Sequence, residues 1–166
     1  MRIVSVLLPL LLAVSVSGFA EFGAHAGIIM PTGDAGDVYG SLSPMFGVNI
    51  LVHMPTIAVE GSVSYAILGS ENDEDEWSAY LIPIVGGIRS YTGPLFLGGG
   101  GGLYLSSVEY QDTTGTEHSA SETDFGAYGN AGIIFHAGST DIEGSIKLHW
   151  IDFDDMWFSL TVGLYF

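Results

Sequence analysis

Apolar and polar residues alternate with a period of two along much of the chain, as they do in β-strands that have one apolar face. In one such stretch, Val59, Val63 and Ile67 fall on one face, whereas Glu60 and Ser62 fall on the other. The pattern is clearest in three segments, which are 57–67, 140–151 and 157–166. The same phase continues more weakly through further segments, which are 22–31, 41–53, 78–91, 95–109 and 125–136. The sequence therefore predicts an all-β protein of eight strands.

The connections between the predicted strands alternate between short and long. Short turns that contain Pro or Gly lie near 53–56, 91–94 and 137–139. Longer and more acidic connections cover 32–40, 69–77, 110–124 and 152–156. Short turns at one rim and longer polar loops at the other are typical of an antiparallel up-and-down barrel that crosses an outer membrane with its strands.

The N-terminal segment, residues 1–20, reads as a secretory signal peptide. It starts with a basic residue, continues with an almost wholly apolar stretch to Val16, and has small residues, Gly18 and Ala20, where a cleavage site needs them. The apolar stretch is shorter than the roughly 20 residues that a membrane-spanning helix requires. We therefore expect cleavage near Ala20 and one barrel domain over residues 21–166.

The composition excludes several classes of function. The chain has 3 Lys and Arg against 19 Asp and Glu, so it would repel a phosphate backbone, and nucleic-acid binding is not expected. It has no cysteine, which excludes disulfides, thiolate metal sites and thiol nucleophiles. Only 13% of its residues are charged and 24 are glycine, which is unusual for a soluble domain.

The non-apolar face of the predicted strands indicates what the barrel encloses. In a soluble barrel this face would meet water and carry many charges, whereas here it is mostly Gly, Ala, Ser, Thr and Asn. Its few charged residues include Arg89 and Lys147, the only Lys or Arg after Arg2. Two cations that alternate with acids are typical of ion pairs held in a lumen, away from lipid. The predicted lumen network consists of Glu60, Arg89, Asp141, Glu143, Lys147 and His149.

Glycines and aromatic residues fit the same barrel. Small residues let an eight-stranded lumen close around a few long side chains. The run Gly98–Gly102 is predicted as strand and not as a phosphate-binding loop, because no Lys-Ser or Lys-Thr follows it; we expect any register slip there.

Aromatic residues near the strand ends predict interfacial girdles. These are Tyr65, Trp77, Tyr80, Trp150, Trp157 and Phe158 toward the loops, and Phe22, Phe135 and Phe166 toward the turns.

The chain ends on a phenylalanine that follows apolar residues at every second position, which are Leu160, Val162 and Leu164 before Phe166. This ending resembles the C-terminal signal by which the barrel assembly machinery recognises bacterial outer-membrane barrels. With the signal peptide and eight strands, the chain resembles the small outer-membrane proteins of the OmpX, OmpW and OmpA-barrel type. The resemblance implies a bacterial outer-membrane location, a lumen filled by side chains, and contact with outer-membrane lipids and lipopolysaccharide. It does not imply one activity, because barrels of this type serve several roles.

The acidic loop at residues 71–76 is the main candidate for cation binding. Carboxylate oxygens are the ligands that Ca²⁺ and Mg²⁺ prefer, but this run lacks the spacing of a calcium-binding loop. We expect diffuse attraction of divalent ions near the lipopolysaccharide layer, to which Asp152, Asp154 and Asp155 contribute. The loop's carboxylates are Glu71, Asp73, Glu74, Asp75 and Glu76.

No catalytic constellation and no cofactor site emerge from the sequence, so we do not expect an enzyme. His118 and Ser119 with Glu122 fall in a predicted loop with no scaffold to position them. Three functions remain open: a non-enzymatic structural or surface-interaction barrel, a narrow channel for ions or small solutes, and a secreted soluble barrel that carries a hydrophobic ligand. The sequence names no surface ligand.

Overall fold

The structure, a computed structural model, is a closed antiparallel barrel of eight strands in sequence order, as predicted. It describes residues 20–39, 42–68, 77–111, 117–153 and 155–166; the predicted signal segment and the acidic run at 71–76 lie outside this part of the chain. The last strand pairs with the first and closes the barrel. The strands are β1 Ala20–Pro31, β2 Ser43–His53, β3 Ile57–Leu68, β4 Trp77–Thr92, β5 Leu95–Gln111, β6 Glu117–Ala137, β7 Thr140–Ile151 and β8 Asp155–Tyr165.

The two faces of the wall follow the alternation in the sequence. On β8, Thr161 and Tyr165 are buried in the lumen, whereas Val162 and Leu164 point outward and are 60% and 42% exposed. β3 and β7 repeat this arrangement, with polar residues inside and branched apolar residues outside. The described barrel is therefore inverted relative to a soluble protein, since its polar side chains form the core.

Turns close one end of the barrel tightly. Gly93 and Gly138 adopt φ values of 62° and 71° in the β4–β5 and β6–β7 turns, a left-handed conformation that glycine takes without steric cost. At the opposite end a helix, α1 Asp34–Tyr39, lies between β1 and β2 and was not predicted. None of the helices in the described residues is long and apolar enough to cross a bilayer.

Strand β6 begins at Glu117, eight residues before the predicted start, so much of the predicted loop 110–124 is strand. Residues 117–124 pair with β5 without a break in register. The prediction was wrong here because this stretch is polar on both faces and therefore shows no alternation of apolar and polar residues.

The glycine run of β5 is strand, as predicted, and it keeps one register with both neighbours, so the predicted register does not slip there. Gly98 lies opposite Arg89 on β4 and opposite Asn130 on β6, and the pairing continues unchanged to Gly102. Two long partner strands hold the run on both sides and compensate for its weak strand propensity.

Trp157 does not lie in the outer girdle, which corrects one aromatic prediction. It is 4% exposed and packs against Tyr39 of α1, with ring centroids 6.0 Å apart. Its position on β8 has the same parity as Ser159 and Thr161, so its ring points into the barrel mouth. Phe22, Phe135 and Phe166 are exposed toward the turn end.

Candidate functional site

The centre of the lumen is built around Arg89, which is 2% exposed and reaches across from β4. Its Nε donates to Glu60 on β3, and its Nη1 donates to Glu143 on β7. Its Nη2 lies 3.4 Å from the hydroxyl of Tyr165, and its guanidinium carbon lies 4.4 Å from the centre of the Phe96 ring. One fork-shaped cation thus bridges two buried carboxylates, a geometry for which arginine is suited.

Glu60 is held by further donors from the opposite wall. Its Oε1 accepts hydrogen bonds from the hydroxyl of Tyr128 and, at 3.1 Å, from Nδ2 of Asn130. Both donors lie on β6, whereas Glu60 lies on β3. Strands on opposite sides of the lumen are therefore connected through one carboxylate.

Two further predicted lumen residues, Lys147 and His149, lie on β7 and are buried. The Lys147 ammonium nitrogen lies 5.2 Å from the centre of the Tyr128 ring. His149 has a hydrogen-bond partner at each ring nitrogen, the Tyr104 hydroxyl at 3.0 Å and the Ser159 hydroxyl at 3.1 Å. Such contacts fix the ring in place and leave neither nitrogen open for a metal.

Asp141 does not join the Arg89 cluster, which consists of Arg89, Glu60 and Glu143. The sequence had predicted that it would. Its carboxylate lies 2.6 Å from Nδ1 of His136, across the β6–β7 hairpin next to the turn. It shares the lumen face with Glu143 but lies two residues closer to the end of the barrel. The sequence predicts on which face of its strand a side chain lies, whereas the depth of that side chain in the lumen depends on strand tilt and stagger.

Aromatic hydroxyls and an amide, which the sequence analysis did not single out, complete the polar core. Tyr128, Tyr165 and Asn130 each contact a member of the Arg89 cluster. Tyrosine counts as apolar in an alternation pattern, so its hydroxyl is overlooked. Their positions along the strands could have revealed them, because alternate residues of a strand share a face and these three residues fall on the inward faces of β6 and β8.

These side chains leave little free space around Arg89. The cavity beside Arg89, Glu143 and Lys147 has a volume of about 10 Å³, close to the minimum that one water molecule needs. Several wall glycines are required by this packing: a Cβ on Gly132 would lie 2.5 Å from the Phe96 ring, whereas a Cβ on Gly129, which faces outward, would meet nothing within 4 Å. The arrangement can brace and seal the barrel.

The residues of the predicted C-terminal signal lie on the outer face of β8. Phe166 is 68% exposed, and its backbone exchanges two hydrogen bonds with Phe22, at 2.9 and 3.2 Å. The four side chains, all exposed, are Leu160, Val162, Leu164 and Phe166. They form one apolar stripe next to the closing seam of the barrel.

At the loop end, β6 projects beyond β7. β6 has 21 residues and β7 has 12, and the β6–β7 ladder begins only at Gly126, paired with Ile151. Next to that pair, Asp152 and Phe153 form a tight turn with φ values of 50° and 60°. This turn ends β7, so the ladder between β6 and β7 stops at Gly126 and Ile151.

Acidic residues surround this projection, although residues 71–76 and Asp154 lie outside the described part. Asp124 lies close enough to Glu122, Asp152 and Asp155 for their charges to interact. Burial, together with the charges of Asp155 and Glu122, raises the pKa of Tyr39 on α1.

No cluster of three or more metal-ligating side chains occurs among the described residues. His118 and Ser119 are adjacent in strand β6 and therefore point to opposite faces, which is unsuited to joint catalysis.

The chain matches no protein-family model and no curated protein sequence. Solved structures do match it. Neisserial surface protein A aligns with a TM-score of 0.60 and 12% identity, covering 88% of this chain and 95% of that one. Ail, the attachment invasion locus protein of Yersinia pestis, aligns with a TM-score of 0.64 and 14% identity over 88% and 95%. The N-terminal β-barrel domain of Pseudomonas aeruginosa OprF aligns with a TM-score of 0.53 and 14% identity over 88% and 97%.

Ail has also been solved with the heparin analogue sucrose octasulfate and in a phospholipid bilayer nanodisc. These identities are low, so the likeness concerns the fold. The chain has the fold of the small eight-stranded barrels of bacterial outer membranes, as shown by its closed ladder of eight antiparallel strands, its apolar exterior and these alignments.

Proposed function

We propose that this protein is an integral outer-membrane barrel without catalytic activity, which stabilises the membrane and contacts the environment through its loop end. The observation that carries the proposal is the inverted barrel wall, apolar outside and polar inside. Exposed apolar side chains would be costly in water, whereas in a bilayer they contact acyl chains. β7 and β8, with 12 and 11 residues, are long enough to cross a membrane as tilted strands, which need about 9–11.

The packed lumen argues against the two alternatives. A channel needs a continuous aqueous path, and the side chains around Arg89 leave a cavity of only about 10 Å³. A carrier of hydrophobic ligands needs an apolar interior, and this interior holds Glu60, Glu143 and Lys147. The interior of an eight-stranded barrel is just wide enough for side chains to fill it, so a filled lumen is the usual state of such a barrel.

The partners we propose are outer-membrane lipids, lipopolysaccharide and the barrel assembly machinery. The apolar stripe that ends at Phe166 supports recognition by that machinery. Because Arg89 and Lys147 are buried in the lumen, no Lys or Arg of residues 21–166 is available for lipopolysaccharide phosphates. Divalent ions held by loop carboxylates, including those of residues 71–76, would have to bridge the two. For the same reason, a sulfated ligand like the one held by Ail is a poor fit to this loop end.

Fractionation of cells that express the full chain tests the proposal. We expect the protein in the outer membrane, as a band whose gel mobility changes when the sample is boiled. We also expect no stable unit conductance from the purified barrel in a planar bilayer. A protein recovered from the periplasm or the medium without a mobility shift would overturn the membrane assignment, and a reproducible conductance that changes in Lys147→Ala would replace it with a channel.

A further inference from the structure

A proline interrupts the barrel wall between β3 and β4. The ladder joins residues 57–63 and 66–68 of β3 to β4, but it skips Ser64 and Tyr65. The register on both sides of the gap places Ser64 opposite Pro83. Proline has no amide hydrogen, and within sheets it is usually confined to edges and bulges. Pro83 instead lies inside a strand of 16 residues that has a neighbour on each side.

The gap leaves the backbone carbonyl of Ser64 without its usual donor. Across the β2–β3 turn, the amide of Met54 donates to the carbonyl of Ile57 at 2.8 Å. Residues of an antiparallel strand alternate in the side to which their N–H and C=O point. Odd-numbered residues of β3 therefore point to β2, and even-numbered ones point to β4. The carbonyl of Ser64 thus points to Pro83, which cannot donate a hydrogen bond to it.

The outer side of this gap is apolar and covered. Val63 and Ile84, which flank it, are exposed on the barrel exterior. The Tyr65 ring lies between those of Phe46 and Tyr80, with ring centroids 5.5 Å apart in both pairs. The interior of a bilayer supplies no water to a backbone carbonyl, an argument that rests on the proposed outer-membrane role. A hydrogen-bond donor for the carbonyl must therefore come from the lumen.

The small lumen cavity beside Arg89 lies directly behind the gap. Ser64 and Pro83 both line this cavity, together with Ser62 and Lys147. Its volume of about 10 Å³ matches the space that one water molecule needs. The cavity therefore connects the interrupted wall with the polar core of the barrel.

Two further polar groups at this cavity lack a hydrogen-bond partner among the described residues. Lys147 is 8% exposed, and its ammonium contacts only the face of the Tyr128 ring. The charges of Glu60 and Glu143 attract this ammonium from beyond hydrogen-bond distance. The Ser62 hydroxyl is buried and also has no partner. Burial of such groups without a hydrogen bond is costly, so each of them requires a partner in the cavity.

We propose that this cavity binds one water molecule, which bridges the Lys147 ammonium, the Ser62 hydroxyl and the Ser64 carbonyl. The ammonium donates to the water oxygen, and the water donates to the hydroxyl and to the carbonyl. Three hydrogen bonds are typical of a water molecule buried in a protein. The water takes the place of the amide that Pro83 lacks, so the wall tolerates a proline inside the membrane. It also solvates the only lysine of the chain.

Magnetisation transfer from water to methyl groups of the full barrel, refolded in detergent micelles, tests the inference by NMR. Val85 lines the cavity, and its methyl protons do not exchange with solvent. Val63, which points outward beside the same gap, is the matched control. We expect a nuclear Overhauser cross-peak between water and the Val85 methyls, with the sign of a water molecule that tumbles with the protein, and none at Val63.

Variants of the barrel identify the partners of the water. Ser62→Ala removes one partner and should weaken the Val85 cross-peak. Ser145→Ala is the matched control and should leave it unchanged, because Ser145 lines the same cavity but already bonds Thr161 at 2.9 Å. Pro83→Ala supplies the missing amide, which should bond the Ser64 carbonyl, be protected from hydrogen exchange and weaken the cross-peak. Isotope-labelled lysine gives a single side-chain signal, which should shift more in Ser62→Ala than in Ser145→Ala.

Three outcomes would overturn the inference. A parent barrel without the Val85 cross-peak would show that the cavity is dry. A cross-peak equally strong in the parent and in Pro83→Ala would show that the water does not bridge the gap in the wall. Equal effects of Ser62→Ala and Ser145→Ala would contradict the assigned partners. The boiling-dependent mobility shift of each sample reports the membrane-barrel fold separately, so a failure of the water site is distinguishable from a failure of the proposed function.

Discussion

Replacing Arg89 by methionine should destabilise the barrel severely. The change removes the cation that bridges Glu60 and Glu143 and leaves two carboxylates buried in the lumen. Two charge-assisted hydrogen bonds, at roughly 1.5–3 kcal/mol each, give a loss of about 3–6 kcal/mol. This range overlaps the 3–5 kcal/mol that removal of one partner from a buried pair typically costs. Ser90→Ala, at the exposed neighbouring position, should change the free energy of unfolding by less than about 0.5 kcal/mol.

Urea unfolding of the refolded barrels in lipid vesicles measures the effect. The folded fraction is followed by gel mobility without boiling, and the midpoint and slope give the free energy of unfolding. The triple variant Glu60→Gln, Arg89→Met, Glu143→Gln removes all three charges and should recover most of the loss, because neutral replacements of buried ion pairs are often tolerated. An Arg89→Met barrel as stable as the parent, or a triple variant less stable than Arg89→Met, would refute the reasoning.

Three further predictions concern the wall, a turn and the C-terminus. Gly132→Ala should lower the free energy of unfolding by about 1–3 kcal/mol in the same assay, because its Cβ meets Phe96. Gly129→Ala, whose Cβ has open space, is the control and should not be destabilised. Equal losses in the two variants would contradict the packing argument. Phe153→Gly should stabilise the barrel by up to about 1 kcal/mol, because glycine takes the positive φ without steric cost. Phe153→Leu keeps the strain and is the control; equal free energies of unfolding for the two variants would contradict the strain argument. Phe166→Ala should lower the amount of heat-modifiable barrel in the outer membrane of cells while leaving its in vitro unfolding midpoint nearly unchanged, and the opposite pattern would argue against an assembly signal.

Alternation in the sequence predicted the eight strands and which side chains share a face. Polar residues such as Glu60 alternate with branched apolar ones such as Val59, and a pleated strand converts this directly into an inner and an outer face. The short turns were predictable for a similar reason, because Gly93 and Gly138 occur where a left-handed residue is needed. These features depend on local chemistry, which one sequence records.

Features that depend on the closed barrel were not predictable. Asp141 and Glu143 share a face, yet only Glu143 reaches Arg89, because depth in the lumen follows from strand tilt and stagger. The upper part of β6 was missed because its pairing with β5 produces no apolar face. Trp157 was misplaced because aromatic residues occur at interfaces and in cores alike, and only its parity on β8 distinguished the two.

The order of folding is constrained by the way in which Arg89 connects the two halves of the chain. Glu60 and Arg89 lie on adjacent strands, so a β3–β4 hairpin can pair them early, whereas Glu143 on β7 meets Arg89 only across a closed cylinder. In an open sheet at the membrane, Glu143 and Lys147 would lack this enclosure and oppose transfer into lipid. Insertion and closure should therefore occur as one concerted event, in which a half-inserted sheet is a species of high free energy and not a resting intermediate.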